Sequence, residues 1–160
     1  MDLRPNPWTV VARSGRSWTQ LAVDAPTRLN PVLQWSPAVL IMVGGTSDLL
    51  KEHDTATKAL ADFVAYAQAA RSAGAAAVIV GTVTPATAFS AVQEARRVDL
   101  NGRIRLNVAG AWDATADLAT ALPDPSDANF YYDGLHWTER GAAVAAAVVN
   151  VVLTPLLALT

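Results

Sequence analysis

The sequence predicts an α/β fold built on a parallel sheet. Two observations carry this. Ala38–Val43 (AVLIMV) and Ala75–Thr82 (AAAVIVGT) are nearly continuous apolar runs of strand length, as expected of strands covered on both faces. Longer stretches with helical spacing separate and follow them, the alternation that a helix-crossed parallel sheet requires.

Taken in order, Trp8–Ala12 (WTVVA) reads as a first strand and Ser17–Leu29 as a helix, with Pro31 and Pro37 punctuating the connection. The run from Ala38 stops at Gly44-Gly45. Asp54–Ala73 reads as a helix because Leu60, Phe63, Val64 and Ala67 recur on one face, and Gly74 sits where a C-terminal cap belongs. After the strand at Ala75–Thr82, Pro85 is placed to open a helix that passes Arg96 and Arg97. Asn101-Gly102 is either a break in that helix or a turn. Asn107–Leu122 holds a short strand and a helical piece, Pro123–Ser126 a loop, and the final helix starts near Thr138 and ends near Pro155. There is no internal repeat or linker, so one domain is expected.

Composition narrows the function. The chain has 160 residues, 52% of them hydrophobic, enough for one real core. Only 16% are charged, the net charge is −2 and the charges are scattered, so no basic patch for nucleic acid is expected. Without cysteine, disulfide scaffolds and thiolate metal sites are excluded. Two histidines rule out a His-rich metal site, and no carboxylate cluster replaces one. Met1–Pro7 lacks the apolar core of a signal peptide. Gly141–Thr160 approaches the ~20 apolar residues of a membrane span. Its alanine and valine content and the lack of a basic flank fit instead a helix packed on the sheet.

Three segments carry candidate chemistry. In Asp133-Gly134-Leu135-His136-Trp137, the His136 imidazole can take a proton at ordinary pH, and Asp133 can bind its other nitrogen and fix the tautomer. The bland alternative is a loop Asp and a helix-start His with no task. In Gly44-Gly45-Thr46-Ser47-Asp48, the glycines free backbone N–H groups to face a pocket, and the Ser47 hydroxyl can donate to an oxyanion. Alternatively this is a strand-to-helix turn capped by Ser47 or Asp48. In Arg13-Ser14-Gly15-Arg16-Ser17-Trp18, Gly15 can supply another N–H, or the segment is an ordinary turn. His53 reads as a solvated helix-start residue, and Arg96 and Arg97 as a solvated helix face. Trp18, Trp137, Tyr131 and Tyr132 either line an acyl or sugar pocket or pack as core and rim. Asp113 and Asp117 are assigned no chemistry.

The order and spacing of these segments resemble the SGNH hydrolases, also called GDSL esterases and lipases. ARSGRSW resembles the family's glycine block, Gly45-Thr46-Ser47-Asp48 its G-x-N-D block, and Asp133 and His136 its D-x-x-H block before the last helix. The resemblance implies a three-layer α/β/α, flavodoxin-like parallel sheet of order 2-1-3-4-5. It implies His136 as base, Asp133 as orienting acid, and Gly15 and Ser47 as oxyanion donors. It also implies a small ester or acylated carbohydrate as substrate, and no metal or cofactor. Two departures stand out. Ser47 replaces the family's asparagine, giving one donor where an amide has two. No G-D-S block precedes ARSGRSW, so the nucleophile's strand and helix are missing from this reading. An upstream polypeptide would then supply that strand. In the other placement Trp8–Ala12 is the central strand and Ser14 stands near the nucleophile position, with Ser17 a poorer substitute. Little or no activity is expected of this chain alone.

Overall fold

The computed structural model describes residues 16–28 and 38–157. The strand expected at Trp8–Ala12, and with it Ser14 and Gly15, lies outside the described residues. The elements are α1 (Trp18–Arg28), β1 (Ala38–Met42), α2 (Thr46–Leu50), α3 (Ala56–Ser72), β2 (Ala75–Gly81), α4 (Ala91–Leu106), β3 (Ala114–Ala116), α5 (Leu118–Ala121) and α6 (Glu139–Leu157). The strands form a parallel sheet of order β1-β2-β3. This is the α/β architecture the apolar runs predict.

The central strand explains the layering. Along β2 successive side chains point to opposite faces. Val78 and Val80 enter one cluster with Met42, Phe63, Leu100 and Ile104, supplied by β1, α3 and α4. Ile79 enters the other with Leu118, Leu122, Ala145 and Leu153, from α5, α6 and the segment between them. The helices α1, α3 and α4 thus cover one face and α5 and α6 the other. Each fully buried Leu, Ile or Phe contributes on the order of 1.5–3 kcal/mol. Both crossovers, α3 and α4, lie on the same face, as a common crossover hand requires when the sheet grows in one direction. Among the described residues β1 pairs only with β2.

Local signals account for most boundaries. The Thr55 hydroxyl accepts the Lys58 N–H to start α3, and Gly74 follows its end with φ of 106°. Two expectations need correction. Pro85 does not open α4; Ser90 does, through a reciprocal capping box with Gln93. Asn101-Gly102 neither breaks nor turns the chain, since α4 runs on to Leu106 and buried Asn101 is held by side-chain hydrogen bonds to Val83. As expected, the last helix ends near Pro155, at Leu157. There the ring forgoes one hydrogen bond in the final turn, a small loss so near a helix end. This helix, α6, is the one described helix long and apolar enough to cross a bilayer. Here Ala145 and Leu153 are buried in the cluster beneath the sheet.

Two glycines give opposite expectations. A Cβ on Gly45 (φ of 104°) would lie 2.7 Å from Val83 Cγ2 and 3.1 Å from Phe63 Cζ, whereas one on Gly102, inside α4, meets nothing within 4 Å. Gly45→Ala is expected to destabilise by about 2–4 kcal/mol, and Gly102→Ala to stabilise by about 0.5–1 kcal/mol. Urea unfolding of both variants checks the pair; a harmless Gly45→Ala would refute the packing described.

Candidate functional site

The site forms where parallel strands present their carboxyl ends, the place at which open α/β sheets bind ligands. At the exit of β1, Gly44 and Gly45 press the backbone against Trp18, Phe63 and Val83. Helix α2 begins at once. Neither Ser47 nor Asp48 caps it: Gly45 holds the cap position with no side-chain hydrogen bond. Asp48 is instead turned into the core, where its Oδ1 accepts the backbone N–H of Trp18 at 2.8 Å. Ser47, one residue before, lines a cavity on the sheet's rim.

The exit of β2 supplies the second wall, Thr82 and Thr84. Val83 between them is clamped by α4. Asn101 accepts the Val83 N–H and donates to its carbonyl, both at 2.8 Å, and the Arg97 guanidinium donates to the same carbonyl at 2.9 Å. Arg97 is therefore buried and ion-paired to Glu94 rather than solvated. Arg96 stays partly exposed on the helix face, as expected, and donates to the carbonyl of His53. His53 itself lies in the loop before α3, with φ of 54°, not at a helix start.

The third wall comes from the loop before α6. Thr138 is held by its N–H to the Phe130 carbonyl and its hydroxyl to the Asn129 carbonyl, and Tyr131 bridges Trp137 in antiparallel fashion. The Thr138 hydroxyl in turn accepts the Gly141 N–H at the start of α6. Within the loop, Asp133 Oδ1 accepts the N–H groups of Leu135 and His136, and its Oδ2 lies 2.7 Å from His136 Nδ1. The His136 N–H and imidazole, then the Leu135 N–H, stabilise the Asp133 carboxylate and hold its pKa down at about 2. An ionised carboxylate only accepts, so Nδ1 carries the proton and donates. The lone pair of the neutral ring is then on Nε2. Gly134 (φ of 77°) docks this loop on the segment after β2. Thr87 N–H donates to the Gly134 carbonyl at 3.0 Å, and a Cβ at 134 would overlap the Thr87 side chain.

These walls enclose a cavity of about 360 Å³, lined by Gly44, Ser47, Thr82, Thr84, His136 and Trp137 among others. Ser47 and His136, 89 positions apart, thus share one cavity, with Asp133 behind the imidazole. Gly15, the other expected oxyanion donor, lies outside the described residues. No hydroxyl of the described residues hydrogen-bonds His136 Nε2. The aromatic candidates divide. Trp18 is core, packed against Phe63 and Tyr66, and buried Tyr131 donates its hydroxyl to the Leu122 carbonyl. Trp137 lines the cavity, and exposed Tyr132 stacks on the His136 ring. Thr82, Thr84 and Tyr132's contact with His136 were not anticipated from sequence; for the threonines, the end of an apolar strand was the available signal. A more open depression between α3 and α4 holds no comparable pair of proton-transfer groups.

Residues 2–144 match the model of the GDSL-like Lipase/Acylhydrolase family. The chain belongs to that family. Three solved structures are similar in fold. A carbohydrate esterase family 3 protein from Talaromyces cellulolyticus shares 20% identity at a TM-score of 0.69, over 92% of this chain and 71% of its own. A GDSL-like lipase from Bacteroides thetaiotaomicron VPI-5482 shares 20% at 0.68, over 89% and 73%. An acetyl esterase mutant solved with an acetate ion shares 19% at 0.66, over 92% and 72%. No curated protein matches the sequence.

Below the cavity of this GDSL-family chain, Asp48, Asp54 and Asp62 bring carboxylate oxygens within 4.8 Å of one another. This corrects the expectation that no carboxylates gather; α2, the following loop and α3 supply one each, so the grouping is invisible in linear order. The Lys58 ammonium pairs with Asp62. Burial, aided by Asp62 and Asp54 and opposed by the Trp18 N–H, pushes Asp48 up from 3.8 to about 6. The folded chain therefore holds a proton that the unfolded chain releases near pH 3.8. The associated stability is present below that pH and is lost as pH rises through about 6, on the order of 2–3 kcal/mol. Asp48→Asn keeps the acceptor for Trp18 and removes the ionisation. It is expected to gain stability over the parent at pH 8 relative to pH 4.5 in urea titrations; an equal difference at both pH values would refute this.

Proposed function

We propose that this chain provides the base, the orienting acid and part of the oxyanion hole of a serine-type ester hydrolase. The single observation that carries the reading is the Asp133–His136 pair, with Nε2 free of hydroxyl partners among the described residues and beside a cavity that Ser47 also lines. Membership of an acylhydrolase family supports it. So does the likeness in fold to a carbohydrate esterase and an acetyl esterase, which points to small acyl groups such as acetyl on sugars.

In this reading a serine hydroxyl gives its proton to His136 Nε2 as its oxygen attacks the ester carbonyl. Asp133 holds the resulting imidazolium. The Ser47 hydroxyl and the Gly15 N–H stabilise the oxyanion. Collapse expels the alcohol, which takes the proton from His136. Water then repeats the sequence and releases the acid. No metal or cofactor takes part. The nucleophile is either Ser14 or a serine of a separate or upstream segment carrying the G-D-S block. A second reading, binding of a carbohydrate or protein without hydrolysis, is favoured by one observation: a hydroxyl stands at Ser47 where the family carries an amide.

Hydrolysis of p-nitrophenyl acetate tests the reading. The chain alone is expected to be slow or inactive, because Ser47 offers one short donor where an amide offers two, and an oxyanion contact left unmade costs roughly 10²–10³ in rate. Whatever turnover exists should disappear in His136→Ala and fall in Asp133→Asn. Loss in Ser14→Ala as well would assign the nucleophile. Turnover unchanged in His136→Ala would end the proposal, and none at all in the parent, even with a G-D-S segment added in trans, would leave the binding reading.

A further inference from the structure

Tyr132 presents a puzzle that packing does not solve. The residue is 68% exposed, so burial gives it little, yet its ring stacks on that of His136, centroids 5.5 Å apart and planes 15° from parallel. The backbone makes this arrangement systematic. Tyr131 bridges Trp137, and the Tyr132 N–H donates to the His136 carbonyl at 3.1 Å. The short antiparallel contact thereby sets residues 132 and 136 side by side.

The imidazole needs such a neighbour. Its side chain is 57% exposed, and a single hydrogen bond from Nδ1 to Asp133 fixes one edge of the ring. That bond leaves the ring free to swing about the line joining the two atoms. A flat ring against one face removes this freedom. The face of a phenol ring also carries partial negative charge and attracts a cation within about 6 Å of its centroid.

We propose that Tyr132 is a positioning residue for His136, holding the imidazole plane by ring stacking and favouring its protonated form. This rests on the reading of His136 as the proton acceptor. Asp133 anchors the edge and Tyr132 the face. When Nε2 takes a proton, the new positive charge is shared between the carboxylate and the phenol ring, while the Lys51 ammonium, which lines the same cavity from the end of α2, opposes it equally in every variant. The work is done by the ring, so the hydroxyl is dispensable.

The chain has only two histidines, which makes the test direct. NMR titration of the imidazole signals follows His136, with His53, outside this loop, as the internal reference. In Tyr132→Ala, His136 is expected to titrate about 0.4–0.7 pH unit lower than in the parent. Tyr132→Leu, which keeps an apolar side chain of similar reach, should show the same drop, and Tyr132→Phe none. An unmoved His136 in the Ala and Leu variants overturns the proposal. So does a drop in Phe as large as in Ala, because the hydroxyl would then be responsible. Asp133→Asn is the separate arm: if His136 fails to move there, the acid–base pairing itself is wrong, whatever the Tyr132 variants do.

Discussion

The site depends on how closely the backbone passes the core at the exit of β1. Gly45 has no room for a side chain between Val83 and Phe63, and its φ of 104° is one that other residues adopt at a cost. Because the chain turns there without a side chain, α2 starts one residue later. Ser47 then faces the rim and Asp48 the interior. Asp48 converts that turn into a tertiary anchor by taking the Trp18 N–H. Trp18 in turn fills the space beside Gly44. A displaced turn would move Ser47, the Asp48 anchor and the seat of Trp18 together.

The opposite wall follows a different logic. The Asp133–His136 contact that defines its loop is exposed on both sides. Exposed pairs of this kind contribute little to stability. Local hydrogen bonds give it shape instead: two N–H groups folded onto Asp133 and two bonds at Thr138. Its place relative to the sheet comes from Gly134 against Thr87 and Trp137 against the cavity. The first wall is set by the core, the second by short-range polar contacts. Their meeting across about 360 Å³ is what makes a site of residues remote in sequence.

What could be read from the sequence was what local chemistry decides. The apolar runs at β1 and β2, the cap at Gly74, and the pair Asp133 and His136 are each visible within a few residues. Ser90 and Gln93 belong to the same class: the capping box was present, and Pro85 drew attention from it. The misread residues are those whose partners are distant. Asn101 looked like a turn because its true partner, the Val83 backbone, lies 18 residues away. Arg97 looked solvated because its target is a carbonyl 14 residues away in the loop after β2. Asp48, Asp54 and Asp62 looked unrelated until α3 folded back on α2.

That division also separates cost from chemistry. Asp48 is buried with one carboxylate oxygen unpartnered, yet it does not line the cavity. It lies directly beneath the turn that positions Ser47, so the penalty falls on the wall that must not move. The residues assigned proton transfer lie in the open, where an imidazole can exchange protons with water and admit a substrate. Rigid support below and solvated acid–base groups above are what acyl transfer demands, since the oxyanion contacts must be preorganised while the base must load and unload its proton each cycle. In Ser47 the rigid wall offers a shorter donor than an amide. In the proposed mechanism the deficit would therefore lie in reach rather than in placement, and a gain in catalysis would come from groups that extend further into the cavity from the same turn.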